Sequence, residues 1–570
     1  MKKYQIRGNP PKDVDNSLNS YSEFLRKLLF NRGITSQNEA EKFFNPDYES
    51  GLHDPFLLKN MDKAVDRILK AIKNNEKIII FSDYDADGIP GAVVLHDFFK
   101  KIKYENFENY IPHRHDEGFG LNEEAIKEFK DEGAKLLITV DCGIADFDEV
   151  EKANEYKIDV IITDHHLPPE KIPKAFAIID PKQNGCEYPN KNICGAGVAF
   201  KLVQALIKKG EFEISEGWEK WLLDMVGMAT ISDMVPLIGE NRVFAIYGLK
   251  VLRKSPRIGL EKLLEKIKIE KKEIQEDDIG FSISPRINAA SRMGIPEDAF
   301  KLLKTTDKKE AETLAEHLDH INNQRKGIVA SLVKEVNKKI EARSLETLKE
   351  VIVLGNPSWK PSLLGLVANS LVGSYNRPVF LWGREGGELI KGSCRSNGSL
   401  SVYEIMKNVR EGVLLDFGGH GVSGGFSVNQ DNIHILEDEL IIAARKTKKI
   451  EKDEDLFIDE KLLPDEVNKE NYKWIEKLSP FGMGNPKPIF LFENIEVSSV
   501  KNFGKSNDHL ELQFIKNNGR VLKAISFFSA EKNFNVDKLK PKTKINLVAT
   551  IEKSNFRGYE EFRLRIVDIV

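Results

Sequence analysis

The chain has 570 residues, of which 41% are hydrophobic and 31% are charged, and its formal net charge is −4. A chain of this length is too long for a single hydrophobic core, so several domains of about 150 residues are expected. The composition is that of an ordinary globular protein. The net charge excludes a uniformly basic protein that coats nucleic acid, although it allows a local basic groove.

The N-terminal residues lack an apolar signal segment, and no uninterrupted apolar run reaches the ~18 residues that a membrane helix needs. The four cysteines, Cys142, Cys186, Cys194 and Cys394, form no C-x-x-C pair and are too few to crosslink so long a chain. Secretion and membrane insertion are therefore not expected, and the reducing cytoplasm is the predicted location. Small buried thiols are favoured over metal ligands for Cys186 and Cys194.

The lead-in, up to about residue 60, is predicted to be helical. Apolar side chains recur at helix spacing over residues 21–30, and Pro46 and Pro55 break the pattern. From Met61 to about Leu237, apolar strands alternate with amphipathic helices. This alternation predicts right-handed βαβ units and a doubly wound parallel sheet, which makes the fold class α/β.

Three predicted strands of this sheet each run directly into polar, mostly acidic residues. They are residues 78–82 before Asp83, Asp85 and Asp87, residues 136–140 before Asp141, and residues 160–163 before Asp164, His165 and His166. Ligands of parallel sheets bind beyond the carboxyl ends of the strands, so these side chains should converge on one crevice. Neighbouring carboxylates raise each other's pKa unless cations neutralise them, so a divalent metal is the predicted occupant.

Asp233, which follows an apolar helix, is a further acidic candidate. Oxygen-rich ligation with imidazole suits Mn²⁺ or Mg²⁺, and the sequence leaves the choice between them open. Two such ions ~3.5–4 Å apart would activate a water and stabilise the leaving oxygen of a phosphoryl displacement. Phosphoester hydrolysis is therefore the predicted reaction class. The alternatives are a single structural metal and aspartates that merely cap a helix.

The second half of the chain predicts three further parts. Residues 299–345 are rich in Lys, Glu, Leu and Ala and predict a long helix or a helix pair that connects two domains. A second strand-rich unit opens at Val351 and contains a glycine cluster at residues 418–425, and the charged tract 446–455 predicts a surface boundary. After residue 486, short alternating strands predict a small barrel of the oligonucleotide-binding type.

These motifs resemble those of a known family. Residues 83–88, 141–143, 164–166 and 232–233 are similar to the successive motifs of the DHH phosphoesterase superfamily, and residues 418–426 are similar to the glycine motif of its DHH-associated domain. More narrowly, residues 111–121, 192–200, 235–242, 284–290 and 392–396 resemble the RecJ family of single-strand-specific 5′ exonucleases. The resemblance spans nearly the whole chain in order. It departs at Ser291, where glycine is usual, and at the variable position Cys394.

The resemblance implies an enzyme with five parts. They are a helical lead-in (1–60), a DHH catalytic domain (61–240), a helical connector (241–345), an α/β DHH-associated substrate-binding domain (346–450) and an oligonucleotide-binding β-barrel (451–570). It implies a single-stranded-DNA-specific 5′→3′ exonuclease that releases 5′-mononucleotides with two Mn²⁺ or Mg²⁺ ions in DNA repair and recombination. It further implies a single-stranded-DNA-binding protein and a RecQ-type helicase as partners. A groove enclosed by two domains of one chain favours a monomer.

The resemblance also implies roles for single residues. The metal ligands are Asp85, Asp87, Asp141, His165 and Asp233. Asp83 and His166 are helpers of the metals or of catalysis, and Asp164 orients a histidine. Arg114, Ser393 and Arg395 hold the 5′ phosphate, Phe119 stacks near the terminal nucleotide, and His420 contacts the strand. The residues also allow plainer interpretations: surface ion pairs for the arginines, a loop anchor for Phe119 and a turn cap for His420.

Two other functions stay open at this point. A DHH-family hydrolase of short oligonucleotides, cyclic dinucleotides or pyrophosphate would share the metal motifs, but it would need neither the barrel nor the connector. A catalytically inactive nucleic-acid-binding scaffold would be expected to lose metal carboxylates. This chain keeps Asp85, Asp87, Asp141 and Asp233.

Overall fold

A computed structural model describes most of the chain. The described residues are 4–342, 349–384, 389–450, 456–504, 507, 509–527, 539–554 and 560–569. The chain divides into two compact units. The first, here called the terminal unit, consists of Met1–Ala40, Lys326–Ser479 and Lys487–Val570, and the second, the inner unit, consists of Glu41–Arg325 and Pro480–Pro486.

The lead-in is mainly helical, as predicted. Its elements are β1 (Tyr4–Ile6), α1 (Lys12–Ser17), α2 (Glu23–Phe30), α3 (Gln37–Phe44) and α4 (Tyr48–Gly51). Helix α2 begins after Ser22, whose Oγ accepts the backbone N–H of Leu25 at 3.3 Å. Strand β1 was not predicted. It pairs in parallel with residues 456–458, and so distant a partner leaves no local signal in the sequence.

The inner unit contains the predicted doubly wound sheet. Its helices and strands are α5 (Met61–Lys73), β2 (Lys77–Ser82), α6 (Gly88–Lys101), β3 (Phe107–Tyr110), α7 (Glu123–Asp131), β4 (Ala134–Val140), α8 (Phe147–Glu155), β5 (Asp159–Thr163) and β6 (Ala177–Ile179). All five strands are parallel, in the order β3-β2-β4-β5-β6. The strand order reverses between β2 and β4, and a doubly wound sheet binds its ligand at such a switch point.

The strands of this sheet are apolar because helices cover both faces. Ile78 and Ile80 of β2 belong to a core cluster with residues of α5, α6 and the later helices. The alternating residues Ile79 and Phe81 belong to a second cluster with residues of α7 and α8. Successive side chains of a strand point to opposite faces, so a strand buried on both faces is largely apolar and does not alternate with polar residues.

The rest of the inner unit is helical. Its helices are α9 (Gly195–Lys209), α10 (Leu223–Ser232), α11 (Gly239–Leu252), α12 (Ile258–Ile267), α13 (Glu276–Asp278), α14 (Ser284–Met293), α15 (Glu297–Lys304) and α16 (Lys308–Glu341). Helices α15 and α16 confirm the prediction of a long helix or a helix pair in this region. The boundary between the two units at residue 325 falls inside α16.

The terminal unit contains a second α/β sheet. Its elements are β7 (Ile352–Gly355), α17 (Pro361–Tyr375), β8 (Val379–Gly383), β9 (Ile390–Arg395), α18 (Val402–Lys407), β10 (Leu414–Gly419), β11 (Ser423–Val428) and α19 (Leu436–Lys446). The strand order is β10-β11-β9-β8-β7. Strands β7 and β8 are parallel, and the other pairs are antiparallel.

The C-terminal part is rich in strands, as the alternating pattern predicted. Its elements are β12 (Leu456–Ile458), β13 (Glu460–Lys461), α20 (Lys469–Lys477), β14 (Phe490–Glu496), β15 (Ser499–Phe503), β16 (His509–Ile515), β17 (Val521–Ser526), β18 (Lys544–Ser554) and β19 (Glu561–Ile569). Seven of these strands form one sheet in the order β13-β14-β18-β19-β17-β16-β15. Residues 451–455 of the charged tract lie outside the described residues. No helix in the described part of the chain is long and apolar enough to span a bilayer.

Candidate metal centre

The loop after β2 carries the first three aspartates. Oδ1 of Asp85 accepts the backbone N–H groups of Asp87 and Gly88, at 2.7 and 3.1 Å. A Cβ at Gly88 would lie 2.4 Å from the carbonyl oxygen of Asp83, so the turn into α6 requires glycine. Asp83 and Asp87 are buried, at 6% and 2% exposure. This local geometry concentrates carboxylates at the carboxyl end of β2.

Asp87 is held by the N-terminus of another helix. Its Oδ2 and Oδ1 accept the backbone N–H groups of Gly195 and Ala196, the first residues of α9, at 2.6 and 2.8 Å. Helix N-termini stabilise carboxylates because their first N–H groups lack partners within the helix. This contact fixes the orientation of Asp87 without using a charged side chain.

Asp141 follows β4 in a left-handed backbone conformation, with φ of 63°. Its backbone N–H bonds to the carbonyl of Thr163 on β5, at 2.9 Å. Its side chain is buried, and a Cβ at Gly195 would lie only 2.6 Å from it. Asp141 and the loop after β2 therefore lie on either side of the switch point between β2 and β4.

The residues after β5 form a second cluster of hydrogen bonds. Oδ1 of Asp164 lies 2.8 Å from Nδ1 of His166 and accepts the backbone N–H of His165 at 2.7 Å. Its Oδ2 accepts the backbone N–H of Ile144 at 3.0 Å. Both carboxylate oxygens of Asp164 therefore have protein donors, and one of them holds the His166 ring.

The side chains from these separate segments meet at His165. Its Nε2 lies 3.0 Å from Oδ1 of Asp141, 3.6 Å from Oδ2 of Asp87 and 3.8 Å from Oδ2 of Asp233. Asp233 caps the C-terminus of α10, and its side chain is 30% exposed. Asp83, Asp85 and Asp141 form a neighbouring group whose carboxylate oxygens lie within 4.8 Å of one another. The structure thus brings together all seven residues predicted as metal ligands or helpers.

The pKa values show how strongly burial and neighbouring charges disfavour the ionised carboxylates of this cluster. Burial, and then the charges of neighbouring aspartates, raise the pKa values of Asp83, Asp87 and Asp141 well above the ordinary value of an aspartate. The same two causes raise the pKa of Asp233 to about 7. A divalent ion would remove the cause of these shifts because opposite charge favours the ionised carboxylate.

The donor set fits such an ion. Oδ1 of Asp83 and Oδ1 of Asp141 are buried and accept no hydrogen bond from any described residue. A buried acceptor without a partner costs free energy. The 3.0 Å between Oδ1 of Asp141 and Nε2 of His165 matches two adjacent ligands, each about 2.1 Å from one octahedral ion. Oxygen and imidazole donors suit Mn²⁺ or Mg²⁺.

The two histidines differ in protonation. Burial, and then the charge of His166, lower the pKa of His165 to about 3, so its imidazole is neutral and can offer a lone pair. Burial would also lower the pKa of His166, but the hydrogen bond and the charge of Asp164 raise it to about 9. His165 is therefore suited to ligation, and His166 holds a proton near neutral pH.

Arg114 and Phe119 lie beside this cluster in the inner unit. The guanidinium of Arg114 stacks on the Tyr84 ring, 4.9 Å from its centroid. The Phe119 ring lies 6.5 Å from Tyr84 and 5.9 Å from His166, edge to face, and Phe119 is 54% exposed. A contact with His166 and this exposure are not the surroundings of a core anchor.

Ser393, Arg395 and His420 belong to the terminal unit. Ser393 and Arg395 are two apart on β9 and therefore point to the same face of its sheet. The guanidinium of Arg395 lies against α17, since a Cβ at Gly365 would be 2.8 Å from its Nη2. His420 is in the exposed turn between β10 and β11, where its backbone N–H bonds to the carbonyl of Ser423.

Three further residues contact the cluster and had no role predicted from the sequence. Gly195 binds Asp87 through its backbone, which leaves no side-chain signal. Oδ1 of Asn288 accepts the backbone N–H of Ala86 at 2.9 Å, and the two residues are 202 positions apart in the sequence. Nζ of Lys182 donates to the carbonyl of His165. The signal for Lys182 was present, because Asp180 and Lys182 follow the apolar strand β6 in the pattern of the other three loops.

Comparison with known protein families matches three parts of the chain. The DHH family N-terminal domain matches residues 77–230, the DHHA1 domain residues 348–446 and the RecJ OB domain residues 458–568. The parallel sheet, its cluster of carboxylates and histidines and these matches define a hydrolase of the DHH class.

Individual relatives identify the family within the DHH class to which this chain belongs. The single-stranded-DNA-specific exonuclease RecJ of Bacillus subtilis is 35% identical over 550 residues, which are 95% of this chain and 67% of the relative. The RecJ exonuclease of Haemophilus influenzae is 30% identical over 100% of this chain and 99% of the relative. The chain therefore belongs to the RecJ family of exonucleases, which confirms the resemblance found in the sequence.

Solved structures agree with this assignment. A crystal structure of Thermus thermophilus RecJ in complex with Mn²⁺ covers 100% of this chain and 79% of its own, with a TM-score of 0.82 and 24% identity, and this similarity concerns the fold. A crystal structure of exonuclease RecJ bound to manganese covers 68% of this chain and 95% of its own, with a TM-score of 0.59 and 30% identity. The predicted α/β fold with a C-terminal oligonucleotide-binding domain is confirmed.

Proposed function

We propose that this chain is a single-stranded-DNA-specific 5′→3′ exonuclease that releases 5′-mononucleotides by hydrolysing phosphodiesters with two Mn²⁺ or Mg²⁺ ions. The observation that carries the proposal is the meeting of four sequence segments at His165, with buried carboxylate oxygens that accept no hydrogen bond from a described residue. Membership of the RecJ family supports the choice of substrate. The C-terminal OB domain supports a polymer as the substrate, since such domains bind single strands.

Within this proposal, Asp85, Asp87, Asp141, His165 and Asp233 hold the metals. When bound, the ions supply an activated water and neutralise charge on the leaving oxygen. The protein fixes the ligands beforehand, because the α9 N-terminus orients Asp87 and the neutral imidazole of His165 hydrogen-bonds to the backbone of Ile193. Such outer contacts hold the ligands of metal sites in position.

Asp83 and His166 act beside the ligands. Oδ1 of Asp83 is grouped with the oxygens of Asp85 and Asp141, so Asp83 is proposed to share in metal binding. His166, held by Asp164 and protonated near neutral pH, is proposed to donate its proton to the departing 3′ oxygen.

Five residues are proposed to bind the DNA. The planar guanidinium of Arg114 suits a phosphate, and the exposed ring of Phe119 can stack on any base. In the terminal unit, Ser393 and Arg395 present a hydroxyl and a guanidinium on one face of β9 for the 5′ phosphate. His420, on the exposed turn after β10, is proposed to contact the strand.

The wider setting is proposed as well. It comprises a monomer in the cytoplasm, a role in DNA repair and recombination, and a single-stranded-DNA-binding protein and a RecQ-type helicase as partners. The five-part division at residues 60, 240, 345 and 450 is likewise retained as a proposal. Size-exclusion chromatography with light scattering tests the monomer, and pull-down with each purified partner tests the partners.

The proposed function is tested with single-stranded DNA labelled at its 5′ or its 3′ end, in the presence of Mn²⁺. Immediate release of the 5′ label as a mononucleotide is expected, with no release from blunt duplex DNA. The matched variant Asp85→Ala should lose hydrolysis and keep DNA binding, because it removes a metal ligand and no contact to the strand. Early loss of the 3′ label, or cleavage of dinucleotides alone, would contradict the proposal.

A further inference from the structure

The turn after β6 places a lysine at the carboxyl end of the same sheet. Asp180 in this turn is fully buried, and its Oδ1 accepts the backbone N–H of Lys182 at 2.6 Å. The neighbouring Gln183 is also buried, and its Nε2 donates to the carbonyl of Ile178 at 2.7 Å. These bonds fix the backbone on both sides of Lys182, unlike that of an ordinary surface lysine.

The ammonium of Lys182 lies beside the proposed metal centre. Its Nζ donates to the carbonyl of His165, and this is its one hydrogen bond to a described residue. Its charge also interacts with the side chains of Asp180, His165 and Asp233. A lysine ammonium has three N–H donors, so two remain for another acceptor.

The negative charge of the site favours a positively charged side chain at this position. Six aspartates, at positions 83, 85, 87, 141, 164 and 233, are balanced by two divalent ions, the protonated His166 and Arg114, and a DNA phosphodiester then adds one further negative charge. Fixed cations next to the phosphate offset this excess and stabilise a phosphoryl group during transfer. Arg114 is the one lysine or arginine of this part of the site with a phosphate-binding role predicted from the sequence.

We propose that Lys182 binds a non-bridging oxygen of the DNA phosphodiester that lies over the metal centre. This inference rests on the proposed function, and it adds a contact that depends on the phosphate and not on the base. The bond to the carbonyl of His165 holds the ammonium in place while its remaining donors face the strand. Lys182 is thereby a substrate-binding residue of the reaction.

The test compares Lys182→Met, which keeps the aliphatic stem, with Lys182→Arg, which keeps the charge. Lys59→Met is the matched control, because Nζ of Lys59 donates to the carbonyl of Asn184 on the same turn without touching a proposed ligand. Two quantities are measured on folded proteins with matched melting temperatures. They are kcat/KM on single-stranded DNA over a series of salt concentrations, and Mn²⁺ affinity without DNA.

For Lys182→Met, kcat/KM should fall roughly 10- to 100-fold, as expected for one charge-assisted hydrogen bond. Its logarithmic salt dependence should become shallower by about 0.7, the value for one phosphate contact on a single strand. Mn²⁺ affinity should stay at the wild-type value, Lys182→Arg should restore most of the rate, and Lys59→Met should behave as wild type.

An unchanged salt dependence together with weaker Mn²⁺ binding would overturn the inference, since Lys182 would then only hold the backbone of His165. An unchanged kcat/KM would overturn it equally. Wild-type protein that degrades no single-stranded DNA would instead overturn the proposed function, and this inference with it.

Discussion

Gly195 offers a direct test of how the proposed metal centre is built. Its backbone N–H binds Asp87, and the place where its side chain would be is taken by Asp141. In Gly195→Ala the hydrogen bond to Asp87 can persist, while the added methyl group meets Asp141, a second proposed ligand. The substitution therefore perturbs the position of one carboxylate and leaves every ligand chemically intact.

The size of the effect follows from the contacts. A Cβ at residue 195 would lie 2.6 Å from both Cβ and Oδ1 of Asp141. Carbon atoms in contact prefer about 3.5 Å, so Asp141 must move by about 1 Å. Crowding of this kind in a buried region costs about 1–3 kcal/mol of stability. A misplacement of about 1 Å at a reacting centre can cost roughly 100-fold in rate.

The assay measures Mn²⁺ affinity by calorimetry on DNA-free protein and the rate of 5′-nucleotide release. Gly195→Ala should bind Mn²⁺ about 10- to 100-fold more weakly, the range seen when supporting contacts are lost. The control is Gly327→Ala in α16, where nothing lies within 4 Å of the added Cβ. It should gain about 1 kcal/mol of helix stability and keep wild-type Mn²⁺ binding. Wild-type affinity and rate in Gly195→Ala would refute the reasoning.

Three further results are expected. Mn²⁺ affinity should rise from pH 6 to pH 8, because metal binding displaces protons from buried carboxyl groups such as Asp233, whose pKa is raised to about 7. Calorimetry in two buffers counts the protons released, and metal binding without proton release would contradict the proposed metal site. Lys201→Met should lower the melting temperature, because it leaves the buried carboxylate of Glu240 unpaired at a cost of about 3–5 kcal/mol. Adding Glu240→Gln should recover part of the loss, and an unchanged melting temperature would show that the pair contributes nothing. Phe119→Ala should raise the KM for single-stranded DNA, because it removes a stacking contact worth about 1–3 kcal/mol, whereas Phe119→Trp should keep the wild-type KM. A wild-type KM in Phe119→Ala would exclude stacking on this ring.

The plainer interpretations of single residues could be weighed only in three dimensions. Capping explains part of the pattern, because Oδ1 of Asp85 does bind the N–H of Gly88 at the start of α6. It does not explain Asp141, whose Oδ1 is buried without a hydrogen bond from any described residue. Local spacing could not separate these two cases, because burial depends on segments that are distant in the sequence.

The sequence by itself determined the parallel sheet and the place where the carboxylates and histidines of the proposed metal centre meet. Apolar runs such as residues 78–82 predict strands buried on both faces, and the carboxyl ends of parallel strands share one edge. The polar residues that follow therefore had to meet, whichever strands were neighbours. This inference needs only local patterns and the geometry common to all parallel sheets.

The tertiary structure alone decided how the centre is held. The strand order β3-β2-β4-β5-β6 puts the switch point beside Asp141, and no local pattern encodes that order. Asp87 is oriented by backbone groups 108 and 109 residues away, and the loop after β2 by Asn288. A backbone N–H is common to almost every residue, so only the fold determines which ones reach a given carboxylate.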